Sequence, residues 1–149
     1  VRLDRKQPGK LFLGVRARAA AVDKEATEEF NRRHVRRMDP LPEILARAQR
    51  GRGHVVYQHM WGPNEFFMTG NLRDYDRSGR LGEINIPTLF SCGRVDEAAP
   101  WTTEWYHSLT PGAEFVVYED SAHMPMWEET ERYVSVVRGF LRQAEDPSS

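Results

Sequence analysis

Ile86-Pro87-Thr88-Leu89-Phe90-Ser91-Cys92-Gly93 opens the stretch that decides the fold, and Arg94-Val95-Asp96-Glu97-Ala98-Ala99-Pro100 completes it. A short apolar run ending at a glycine is the pattern of a buried strand. Pro100 suits the first turn of a helix, predicted over Pro100–Leu109, because its fixed φ is helical and its missing N–H has no partner to lose there. Glu114-Phe115-Val116-Val117-Tyr118 is a second β-rich run. Glu128–Gln143 then predicts a helix on which Tyr133, Val136, Val137, Phe140 and Leu141 make one apolar stripe. Strand, helix, strand, helix implies an α/β unit with a parallel pair and a right-handed crossover. Parallel strands are normally buried on both faces within larger sheets, so this sheet is incomplete and needs neighbours.

Upstream the pattern is helical and broken by turns. Asp23–Met38 predicts a helix with Phe30, His34 and Met38 at four-residue spacing. Asp39-Pro40-Leu41-Pro42 ends it, since proline disfavours helical geometry in the residue before it. A second helix is predicted over Glu43–Gln49, stopped by Gly51-Arg52-Gly53. Residues 54–83 offer short aromatic pieces and turn formers (Gly62-Pro63-Asn64, Gly70-Asn71, Ser78-Gly79), and residues 1–22 carry no clear period.

Composition bounds the function classes. The chain has 149 residues, enough for one domain, and a single cysteine, which excludes a disulfide framework within it. No run of about 18 apolar residues exists to form a membrane-spanning helix, and no secretory signal is visible, so the expectation is a cytoplasmic protein with no membrane partner. Charge is uneven: residues 1–60 hold 14 Lys/Arg against 7 Asp/Glu, and residues 61–149 hold 7 against 15. A basic half suits nucleic acid and an acidic half a cationic substrate; charge alone does not choose.

In sheets of this kind functional groups gather in loops leaving the carboxyl ends of strands. Two such loops exist here, Gly93–Pro100 and Glu119-Asp120-Ser121-Ala122-His123-Met124-Pro125. Asp96 can accept the Nδ1–H of His123, which leaves Nε2 as a general base. On spacing alone Asp96 can equally serve as a turn or helix-cap residue, and His123 as an ordinary loop histidine. Cys92 reads as a small buried hydrophobe rather than a nucleophile. His34, His54 and His59 lack the i, i+4 spacing of helical zinc ligands, so no metal is expected. His107 reads as a helix-surface residue. Arg32-Arg33-His34-Val35-Arg36-Arg37 suits phosphate binding, but without stacking aromatics or a groove-reading motif beside it no nucleic-acid partner is expected.

Taken in order, the motifs resemble one family. Gly93-x-x-Asp96-Glu97-x-x-Pro100, Asp120-Ser121-Ala122-His123-Met124 and Trp127-Glu128-Glu129 resemble the C-terminal part of α/β-hydrolases, and more narrowly the proline iminopeptidases (prolyl aminopeptidases). Phe30-Asn31-Arg32-Arg33-His34-Val35 and Trp61-Gly62-Pro63-Asn64-Glu65-Phe66, followed by Thr69-Gly70 and Asp74-Tyr75-Asp76, resemble parts of that family's helical cap. The resemblance implies an unassigned leader at residues 1–22, a partial cap at 23–83, a C-terminal α/β-hydrolase core segment at 84–143 and a tail at 144–149. It implies Asp96 as triad acid and His123 as triad base, with Glu97 and Glu65 binding the free amine of a peptide with N-terminal proline. No cofactor is implied.

The nucleophile of such enzymes is a serine in a Gly-x-Ser-x-Gly elbow, and none of the serines of this sequence stands in that pattern. The expectation is therefore a C-terminal portion of a serine aminopeptidase, beginning at Val1 rather than Met, and inactive alone. It would need the N-terminal hydrolase half or an oligomer partner. The alternatives are a non-catalytic or esterase-like α/β-hydrolase segment and a basic nucleic-acid-binding module.

Overall fold

In the computed structural model, residues 24–51, 53–63 and 67–145 are described. The leader assigned to residues 1–22 and residues 146–149 of the tail lie outside them. The chain divides into two compact units, residues 1–27 with 40–76, and residues 28–39 with 77–149.

In the first unit, α2 (Glu43–Arg50) follows Pro42 directly and carries Glu43 in its first turn and Arg47 and Arg50 in its last. That order of charge complements the helix dipole. A further helix, α3 (His54–Met60), occupies part of the stretch expected to hold only aromatic pieces and turns. Its apolar residues Val55 and Val56 are adjacent and exposed, so no single-faced stripe marks it in the sequence. Gly62, at φ 110°, reverses the chain as only glycine does readily. The N–H groups of Thr69 and Gly70 then close onto the Trp61 carbonyl at 2.9 and 3.0 Å.

The helix expected over Asp23–Met38 is shorter and changes type. It runs as α1 (Lys24–Phe30) and continues as a π-helix over Asn31–Val35. The turn closes when Arg36 N–H reaches the Asn31 carbonyl five residues back at 2.9 Å, and Arg36 itself is extended. Met38 lies beyond the helix. Only the part from Glu28 onward belongs to the second unit.

The rest of the second unit is the expected strand–helix–strand–helix series. Strand β1 is Leu89–Gly93, α4 is Pro100–Ser108 with Pro100 in its first turn, and β2 is Glu114–Tyr118. The strands pair in parallel, from Leu89 opposite Glu114 to Gly93 opposite Tyr118, as a two-stranded sheet. Ile86 and Pro87 precede the ladder rather than joining it. A short α5 (Pro125–Glu128) leads into α6 (Thr130–Glu145), a division the single expected helix over Glu128–Gln143 did not contain.

Burial follows the open sheet. Leu89, Phe90, Val116 and Val117 are only half-buried, and Ile86 stays 70% exposed. Among the described residues the buried apolar side chains are Cys92, Tyr118, Ala122 and Pro125, at the carboxyl ends of the strands, in the loop beyond β2 and at the start of α5. His107, expected on a helix surface, is half-buried instead. Its Nε2 lies 3.0 Å from the Ala113 carbonyl and its ring stacks on Phe115 at 5.6 Å, so it ties α4 to the entry of β2.

Candidate active site

Parallel strands deliver their following loops to one edge, and here the two loops interlock. Arg94 N–H donates to the Tyr118 carbonyl at 2.8 Å, and Val95 N–H to the Ser121 carbonyl at 3.2 Å. The second loop passes so close over Gly93 that a Cβ there would collide with the main-chain oxygens of Ser121 and Ala122. Gly93 is thus required by a close approach of backbone, not by a turn. At the rim Arg94 and Glu119 form an exposed ion pair across the loops.

Asp96 sits where these contacts converge and is 8% exposed. Its Oδ2 accepts Gly93 N–H at 3.3 Å, and its Oδ1 accepts Ala98 N–H at 2.8 Å. The same Oδ1 lies 2.9 Å from Nδ1 of His123. Asp96 therefore shapes the turn and meets the histidine with one carboxylate; the two readings open in the sequence coexist. It does not cap α4, whose N-cap is Ala99. With Nδ1–H donated to a carboxylate, the neutral ring presents a basic Nε2. The imidazole is about half exposed, its side chain at 49%. Glu97 Oε1 lies 3.8 Å from that Nε2, a charge neighbour beyond hydrogen-bond length. Glu65 lies outside the described residues.

Two further carboxylates hold the histidine loop, and the sequence reading gave them no role. Glu128 Oε2 accepts the N–H of Ala122, the residue before His123, at 2.6 Å. Glu129 Oε2 accepts Asp120 N–H at 3.0 Å and the Ser121 hydroxyl at 2.7 Å. Arg132 pairs with Glu129 at 3.1 Å, donates to the Val117 carbonyl at 3.0 Å and lies over the Tyr118 ring. Burial pushes the Glu129 carboxyl up, but the bonds from Ser121, Arg132 and Asp120 outweigh it and hold it below its ordinary 4.5. The signal for these roles was their adjacency at the start of a helix, just after a loop rich in backbone donors.

Cys92, a metal set and Arg32 and Arg33 do not join this centre. Cys92 is 3% exposed, and burial foremost keeps its thiol protonated despite a bond to Thr103. Among the described residues no group of three or more His, Cys, Asp or Glu is placed to hold a metal. Arg32 and Arg33 of the basic run both grip Glu29, which their hydrogen bonds lower to about 2.

Comparison with known proteins gives a consistent set of relatives, although no family model matches. Over 117 residues the chain is 48% identical to a proline iminopeptidase of Heyndrickxia coagulans, covering 78% of this chain and 41% of that protein. It is 34% identical over 120 residues to a proline iminopeptidase of Saccharolobus solfataricus, covering 80% and 39%. Among solved structures, VinJ superposes with TM-score 0.79 at 31% identity, over 91% of this chain and 54% of that one. The proline iminopeptidase of Mycobacterium smegmatis superposes with TM-score 0.74 at 36% identity, over 80% and 41%. The chain spans about two fifths of the length of the curated relatives it matches.

Proposed function

Because the chain belongs to the proline iminopeptidase family of the α/β-hydrolases, we propose that it supplies the acid and base of a serine aminopeptidase releasing N-terminal proline. The observation that carries this reading is the 2.9 Å contact between Asp96 Oδ1 and His123 Nδ1 at the carboxyl ends of two parallel strands. In the assembled enzyme His123 Nε2 takes the proton of a serine as that serine attacks the first peptide carbonyl. Backbone amides hold the oxyanion. The imidazolium, stabilised by Asp96, then protonates the departing amine, and water cleaves the prolyl ester with the same base.

Specificity comes from charge. Glu97, beside the base, and Glu65 bind the ammonium of a peptide's first residue, since charge-assisted hydrogen bonds are stronger than neutral ones. A blocked N-terminus would leave those carboxylates unpaired in a closed site. Nucleic-acid binding draws less support from the basic run, in which Arg32 and Arg33 share the carboxylate of Glu29. A cytoplasmic setting is proposed with the aminopeptidase reading, which suits the free thiol of Cys92.

No serine of the chain lies in an elbow pattern, and loss of the serine alone costs on the order of 10⁶ in turnover. These 149 residues by themselves are therefore inactive, and activity needs the N-terminal half of such a hydrolase. Co-expression with that half of a related proline iminopeptidase should restore release of proline from a prolyl anilide. Asp96→Asn in the complex should lower turnover by about 10⁴-fold, as for a triad left with the wrong tautomer. An assembled complex whose turnover is indifferent to Asp96→Asn and His123→Ala would sink the reading.

A further inference from the structure

The segment that contains the basic run crosses both catalytic loops. His34 meets the acid loop on either side of Asp96: its Nδ1 lies 2.8 Å from the Val95 carbonyl, and its own carbonyl accepts Glu97 N–H at 2.9 Å. Arg37 meets the histidine loop. Its guanidinium Nη1 donates to the Asp120 carbonyl at 3.1 Å, and its backbone N–H donates to Glu128 Oε1. The other oxygen of Glu128 accepts Ala122 N–H at 2.6 Å. Asp120 and Ala122 flank Ser121, and His123 comes next.

We propose that His34 and Arg37 are positioning residues, which tie the acid loop and the base loop to one short segment and so hold the Asp96–His123 separation. The proposal rests on the reading of those two residues as acid and base. The local fold explains why this segment can do it. The π-helix ends at Val35, so the His34 carbonyl belongs to the last turn and lacks a partner within the helix. Arg36 is extended, at φ −153° and ψ 120°, and the chain beyond it leaves the helix with the Arg37 N–H donated to Glu128. Short π-helical turns are often found at functional sites, where the added residue re-aims the chain beyond the turn.

Clamping both peptides around Asp96 matters because the pair works only within hydrogen-bond length, and a displacement of about 1 Å removes it. Arg37 serves the other side of the pair, through Asp120 directly and through Glu128 to Ala122. The part of the basic run formed by His34 and Arg37 is thereby accounted for without an outside partner for these two side chains.

Nuclear magnetic resonance of the 149-residue chain tests this through the Nδ1–H proton of His123, whose exchange with water reports the hydrogen bond to Asp96. His34→Ala should speed that exchange by about tenfold, the scale of one lost hydrogen bond. His34→Asn, whose amide nitrogen falls where Nδ1 does, should restore it. Glu128→Ala should act like His34→Ala, and Arg37→Ala more weakly, because the backbone N–H remains. Asp96→Asn should abolish the signal. If Asp96→Asn leaves it intact, the acid–base reading fails. If Asp96→Asn abolishes it while His34→Ala and Glu128→Ala leave exchange unchanged, the positioning proposal is overturned, whatever either variant does to melting temperature. Should His34→Ala not fold, amide exchange in the unaltered chain decides. Protection of the Glu97 and Ala122 amides supports the clamp, and free exchange at both overturns it.

Discussion

Asp96 Oδ1 accepts from two donors at once, the Ala98 amide and the His123 ring. That sharing makes the residue both a turn former and the partner that fixes a tautomer, and it explains why spacing alone left its role open. The role proposed for Glu97 differs. In the assembled enzyme, Glu97→Gln should raise KM for a prolyl substrate by about tenfold, the difference between a charged and a neutral hydrogen bond. Steady-state kinetics would show it, and an unchanged KM in both Glu97→Gln and Glu65→Gln would remove the amine-binding roles. Tyr118 offers a test of packing. It is fully buried, yet its hydroxyl has no partner among the described residues. An unsatisfied buried hydroxyl is costly, so Tyr118→Phe should leave stability unchanged or raise it by about 1 kcal/mol. A clear loss on thermal unfolding would contradict that.

At the scale of elements, the junction between α5 and α6 holds the histidine loop. Glu129 has a folded value below its ordinary 4.5. A carboxylate depressed by folding stabilises at pH above its unfolded value, and that contribution fades as pH falls through the folded one. Glu129→Gln should therefore cost about 1–2 kcal/mol near pH 7, and the gap to the unaltered chain should close below pH 4.5. Melting curves across pH check this, and a constant gap down to pH 3 would contradict it. Legibility in the sequence differed by element. The strands and α4 were readable because apolar runs, a terminal glycine and Pro100 each have a local cause. The helix α3 was not, since its exposed Val55 and Val56 do not mark one face. The π-turn after α1 was also hidden, because its contacts with Val95 and Glu97 span some sixty residues. The contact between Asp96 and His123 was legible from strand–loop order, whereas the contacts of Glu128 and Glu129 needed the loop's backbone donors in place.

At the scale of the whole molecule, the half-buried strands matter most. A two-stranded parallel sheet with few buried apolar side chains among the described residues is the kind of structure that gains from a partner, because parallel sheets are covered on both faces. A partner that binds only the folded chain stabilises it by mass action, by about 2.7 kcal/mol at a hundredfold excess over Kd. The melting temperature should therefore rise with added N-terminal hydrolase half, and a midpoint indifferent to its concentration would count against that partner. The ladder has one more consequence. Its last rung joins Gly93 to Tyr118, so Asp96 stands three residues past the rung and His123 five. The chain is thus a pair of counted lengths measured from a common mark. Added residues in the exposed turn after α4 leave both counts alone and should be tolerated. One residue gained or lost between Gly93 and Asp96, or between Tyr118 and His123, changes a count by about 3.3 Å of chain. Asp96 and His123 would then no longer meet, even with every side chain of the site still present.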